Sequence, residues 1–162
     1  MACSCGPASG VDFALTPEGY RSPVTTPSLA DVPHPIMFRD DDFGLAQVRT
    51  IALGYPEAHE KISHGRPCFF VSKMFAMYGG STKETGQMST VPHCVLVKVD
   101  ESDREALRAD DRFFVPAYLG PSGWLGLDFD RADVDWDEVG ELVDASFRLV
   151  APRRLVRQLE GP

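Results

Sequence analysis

Between Ala58 and Tyr78 three strand-like segments follow one another with no helix between them, and that succession constrains the fold more than any other feature of the chain. They run Ala58 to Ser63, Cys68 to Ser72 and Lys73 to Tyr78, with Gly65 and Pro67 marking a turn at the first junction. Links so short make neighbouring strands antiparallel, because a parallel return needs a long crossover. The polar stretch Gly79 to Thr90 reads as an exposed loop of a length that often carries function. A further strand, Cys94 to Val99, follows it and sets Val95, Val97 and Val99 on one face.

Helical periodicity appears only outside this run. Asp40, Asp41 and Asp42 are placed to cap a helix whose apolar side is Leu45, Val48, Ile51 and Ala52, and Gly54 with Pro56 stops it. Ser102 and Glu105 have capping-box spacing for a short helix through Leu107, which ends near Asp110 and Asp111. After a strand from Trp124 to Phe129, Asp135 and Glu138 repeat the capping logic. Trp136, Val139, Leu142, Val143, Phe147 and Val150 then form one apolar stripe. Pro152 interrupts that helix, and Arg153, Arg154, Leu155, Val156 and Arg157 suggest a basic final turn. The order is helix, strands, short helix, strand, long helix. It lacks the strand-helix alternation of a doubly wound sheet, so a two-layer α+β domain is expected.

A chain of 162 residues, 43% hydrophobic and 10% aromatic, has the apolar material for one core. Six of the thirteen prolines lie between Met1 and Pro35, where periodicity is absent, so residues 1–35 read as a disordered tail and residues 36–162 as the domain. No stretch approaches the roughly 20 apolar residues of a membrane span, and the N-terminus lacks the pattern of a secretory signal. A cytoplasmic protein with no membrane partner is expected. Cys3 and Cys5 lie in the tail and Cys68 and Cys94 in strand-like segments, so free thiols are expected in a reducing compartment.

The formal net charge of -8 repels polyanions at long range, so a nucleic-acid role requires a locally basic face. Charge is in fact uneven. Residues 101–150 hold thirteen acids and five bases, whereas Tyr55 to Asp100 holds Lys61, Arg66, Lys73, Lys83 and Lys98 against four acids. Those five cations are the candidate phosphate contacts, to which Arg153, Arg154 and Arg157 can add, with Lys83 on a loop that can serve as a wing, and ordinary solvated charge is the competing reading. Phe69, Phe70, Phe75 and Tyr78 interleave with Arg66 and Lys73; on an exposed sheet they would stack bases, but burial is the better expectation for most.

Catalytic and metal chemistry is not legible. His59 and His64 are five apart, so in a strand they face opposite ways, and Cys94 lacks a convergent imidazole despite His93 beside it. The glycines around Ser81, Thr82 and Lys83 do not match a phosphate-binding loop, and Asp128, Asp130, Asp133 and Asp135 lack calcium-loop spacing. No catalytic residue, cofactor or metal is assigned, and a protein without enzymatic activity is expected.

In the order they occur, Tyr55-Pro56-Glu57, Ser63-His64-Gly65-Arg66-Pro67, Cys68-Phe69-Phe70-Val71 and Lys73-Met74-Phe75-Ala76 resemble the MmcQ/YjbR family. So do Phe114 to Gly120, Gly123-Trp124-Leu125, Val134-Asp135-Trp136 and Ser146 to Pro152, and the likeness spans about Phe43 to Leu159. The resemblance implies a twisted antiparallel sheet of about five strands packed on helices, a double-wing arrangement, DNA as partner and no enzymatic activity. The proline-rich tail lies outside it. The alternative reading is a small-molecule or protein-binding module, in which His64, Arg66, Lys73 and Trp124 form a sheet-face pocket for an anionic or aromatic ligand.

Overall fold

A computed structural model describes residues 34–161. The expected disordered tail therefore lies, apart from His34 and Pro35, outside the described residues, as do Cys3 and Cys5. The elements in chain order are α1 (Leu45–Leu53), β1 (His59–Ser63), β2 (Arg66–Phe70), β3 (Met74–Glu84), β4 (Gln87–Lys98), α2 (Glu101–Arg108), β5 (Phe113–Phe114), a 3-10 turn (Gly120–Ser122), β6 (Trp124–Asp128), α3 (Trp136–Val150) and α4 (Arg153–Leu159).

The strands make one antiparallel sheet in the order β1-β2-β3-β4-β6-β5. The fold is the α+β architecture that the order of periodicities implies, with the two-residue β5 as a sixth strand at one edge. Val95, Val97, Leu125 and Leu127 face the helices, and Val48, Val139, Val143 and Phe147 meet them in the main core. Tyr78 is sealed into this layer and donates from its hydroxyl to the Phe43 carbonyl at 2.6 Å.

The helix α3 follows its sequence signature closely. The Asp135 side chain accepts from the Asp137 and Glu138 N–H groups, satisfying two of the donors that every helix start exposes. The other two starts differ from expectation. Gly44, in a left-handed conformation, precedes α1 without a side-chain cap, while Asp42 accepts from the Arg39 N–H one turn earlier. For α2 the cap is Asp100, which accepts from Ser102, so Ser102 sits inside the first turn.

The larger correction concerns Gly79 to Thr90, which is strand and not loop. Ser81↔Thr90, Thr82↔Ser89, Lys83↔Met88 and Glu84↔Gln87 pair across a two-residue turn in which Thr85 and Gly86 both have positive φ, 47° and 85°. Such a turn matches the twist of a hairpin. The segment is polar because it runs past the core, and its backbone groups pair with each other instead of with water.

At the other end of β3 and β4 the ladder is opened by a side chain from α3. The Ser146 hydroxyl, fully buried, donates to the Phe75 carbonyl at 2.5 Å and accepts from the Lys98 N–H at 2.9 Å. It stands between two strand groups that lie one step beyond the Ala76↔Val97 pair.

Candidate nucleic-acid interface

The four helices do not share the sheet equally. Strand alternation sends Cys94, Leu96, Trp124 and Gly126 to the face opposite the main core, where Met74, Met77, Val91, Phe114 and Leu119 pack with them in a smaller cluster. The cover on this side is the end of β5 with the segment that leads on to β6, and the Phe114 ring of β5 lies against Gly126; a methyl group at Gly126 would collide with that ring and with Leu96. Towards β1 and β2 the face carries Lys61 and Cys68, paired in register, and His59 and Phe70, whose rings stack at 6.0 Å. No described helix packs there.

Of the aromatic residues that could have formed a stacking platform, Phe69, Phe75 and Tyr78 are buried in the main core. Phe70 alone is partly exposed, on the open face. Trp124 is buried against Leu96 and Cys94 and acts as core.

The five candidate cations are spread over the first four strands. Lys73 lies in the turn before β3 and Lys98 at the end of β4, both at one end of the sheet. Lys61 is midway along β1. Arg66, at the opposite end, is 6% exposed and its guanidinium rests on Gly79, which has no side chain and a positive φ of 72°. Burial lowers the Arg66 pKa, and no described carboxylate pairs with it. Lys83 is exposed near the hairpin tip.

Ion pairing separates these residues from most of the arginines, although Arg108, Arg153 and Arg157 are likewise without a described carboxylate partner. Arg39, Arg49, Arg104, Arg112, Arg131, Arg148 and Arg154 each contact a carboxylate. Among the described residues none of Lys61, Arg66, Lys73, Lys83 and Lys98 does. Strand alternation explains part of this: Glu60 turns to the helix side and is held by Arg49 at 2.9 Å, leaving Lys61 on the other face without it.

The alternative pocket residues are not gathered. His64 and Arg66 sit at one end of β2 and Lys73 at the other, roughly 17 Å away for five residues of strand, and Trp124 is on β6 at the Lys73 end. The His64 ring lies 4.8 Å from that of His34 and its Nδ1 is 3.0 Å from the Ser63 hydroxyl.

Burial also decides the thiols. Cys68 is pushed up to about 11 and Cys94 further, chiefly by desolvation, so neither is a thiolate at neutral pH. His93 Nδ1 lies 3.0 Å from Asp130, a partly exposed pair with no hydroxyl or thiol hydrogen-bonded to that ring among the described residues.

Two wide grooves border the sheet. One of about 620 Å³ runs between α2 and α3 and is lined by Lys98, Asp103, Leu107, Glu141 and Leu149. The other, about 640 Å³, lies between the hairpin and the β5–β6 segment, with Lys83, Arg108, Phe114 and Tyr118 on its walls. Sequence reasoning passed over Tyr118. It is 85% exposed and has φ 67°, a left-handed conformation that costs an L-residue about 1–2 kcal/mol. The signal available was an aromatic residue between Pro116 and the Gly120-Pro121 pair in the irregular link.

A family model described as YjbR matches residues 53–149. The crystal structure of the Deinococcus radiodurans protein DR2400, with a DUF419 domain, is similar at a TM-score of 0.51 and 22% identity, covering 80% of this chain and 94% of that one. At that identity the likeness concerns fold. No curated protein matches the sequence.

Proposed function

This chain belongs to the YjbR family, and from the architecture described above we propose that it is a non-enzymatic protein that binds DNA by phosphate contacts on its open sheet face and hairpin. The observation that carries the reading is the set of cations left without carboxylate partners on and beside the one face that bears no described helix. Lys61, Lys73 and Lys83 are exposed, while the buried Arg66 adds positive potential beneath the surface.

Dimensions favour the same reading. Ten residues of ribbon separate Lys73 from Lys83, roughly 33 Å, close to the roughly 34 Å of one duplex turn. The acidity of the chain resides largely elsewhere: Glu101, Asp103, Glu105, Asp137, Glu138, Glu141 and Asp144 are on α2 and α3. Charges beyond a Debye length of roughly 8 Å at physiological salt are largely screened, so a cationic face and a negative total charge are compatible. The hairpin would act as the wing, following the backbone or entering a groove.

Fluorescence anisotropy of labelled duplex DNA across a salt series tests this. With about three phosphates engaged, log K should fall against log salt with a slope of roughly -3. Lys73→Glu and Lys83→Glu should each weaken binding and lower that slope by about 1. Retention that ignores salt, or ignores both substitutions, would overturn the proposal, as would no binding at low salt.

A further inference from the structure

Tyr118 is a large aromatic side chain that the fold holds out into solvent on a fixed support. The Ala117 N–H donates to the Ser81 carbonyl at 2.7 Å, the Thr82 hydroxyl donates to the Val115 carbonyl at 3.2 Å, and the Gly120 N–H donates to the Pro116 carbonyl at 2.9 Å. Leu119 on its far side packs into the cluster with Leu96 and Trp124. The residue between these anchors keeps a positive φ, although its ring is 85% exposed and gains no core contact in return. Strained, over-determined backbone of this kind concentrates where a side chain is being presented.

The ring's surroundings indicate what it is presented to. It borders the groove between hairpin and link, where Lys83 and Arg108 are not ion-paired with any described carboxylate. Asp110 and Arg131, which also line the groove, are committed to Arg112 and Asp128, while Glu84 and Asp111 on its walls pair with no described cation, so its free charges are of both signs. An exposed aromatic face beside free cations is the arrangement that stacks a base while its backbone is neutralised, and stacking requires a base that is not covered by its neighbour in a duplex.

We propose that Tyr118 is a stacking platform for an unpaired base, so that the nucleic acid held along the hairpin is single-stranded at that point. The inference rests on the proposed nucleic-acid function and adds the form of the ligand. Duplex and single-stranded contacts share the cationic track, while Tyr118 contributes to the single strand alone.

The full-length protein would be titrated by fluorescence anisotropy with a labelled twelve-residue oligothymidine and with a labelled twelve-base-pair duplex, both at low salt. Tyr118→Ala should weaken the single strand about ten-fold, within the range expected for one stacked base, and leave its salt slope and the duplex affinity unchanged. Tyr118→Phe keeps the ring and should bind as the wild type does, which assigns the loss to the ring and not to the hydroxyl, while the unchanged duplex affinity of Tyr118→Ala excludes misfolding as its cause. If both probes bind with a salt slope and Tyr118→Ala alters neither, stacking is refuted and the phosphate-binding face stands. If neither probe binds, both readings fall.

Discussion

Replacing Ser146 by alanine tests how α3 is joined to the sheet. The hydroxyl bridges the Phe75 carbonyl and the Lys98 N–H, and its removal leaves a buried acceptor and a strand donor without the partner they have now. A buried group stripped of its partner costs about 1–3 kcal/mol. Phe75 is fully buried and Lys98 only partly so, which puts the expected loss for the pair at about 2–4 kcal/mol. Urea denaturation followed by circular dichroism would read this as a lower midpoint with an unchanged slope, and Tm should fall by roughly 8–16 °C at about 4 °C per kcal/mol for a domain of this size. Ser122→Ala, on the exposed 3-10 turn, is the control and should be silent. A loss below about 1 kcal/mol for Ser146→Ala would mean that Phe75 and Lys98 close the ladder directly once the hydroxyl is gone. The serine would then be a wedge and not a bridge.

Two further outcomes follow from burial. Because the folded state holds the Cys68 thiol at about 11 against an ordinary value of 9.0, the unfolded chain ionises first. Its contribution to stability is complete below about pH 9 and is lost as pH rises toward 11, amounting to about 2–3 kcal/mol. Denaturant midpoints measured between pH 8 and 11 should show the fall, reduced in Cys68→Ala; a flat profile would contradict the burial. Gly126→Ala should destabilise by about 1–3 kcal/mol in thermal melts, since the added methyl group meets Phe114 and Leu96; a neutral result would show that the ends of those two side chains move aside without loss of packing.

Much of the fold is legible in the residues because it depends on local chemistry. The apolar stripe from Trp136 to Val150 with Asp135 ahead of it determines α3, and the alternating segments after Ala58 determine consecutive antiparallel strands. Charge asymmetry likewise singles out Lys61, Arg66, Lys73, Lys83 and Lys98. Where reading along the chain failed, the deciding contacts were distant ones or lay outside the core. The hairpin from Gly79 to Thr90 carries no apolar alternation, because a ribbon projecting past the core has no face to bury; its signal was the Thr85-Gly86 turn.

Tertiary structure alone decided which cations are free. Arg49 and Glu60 are eleven residues apart and Arg154 and Glu57 ninety-seven, so no local pattern reveals that these arginines are paired while Lys61 is not. It also separated His64 from Lys73 along β2, buried Trp124, and set Tyr118 on its exposed perch through hydrogen bonds to Ser81 and Thr82 from another part of the chain. Sequence periodicity records which side of an element is buried. Which side chains meet across a sheet, and which are left for a ligand, depends on how the elements pack, and that information is spread over residues far apart in the chain.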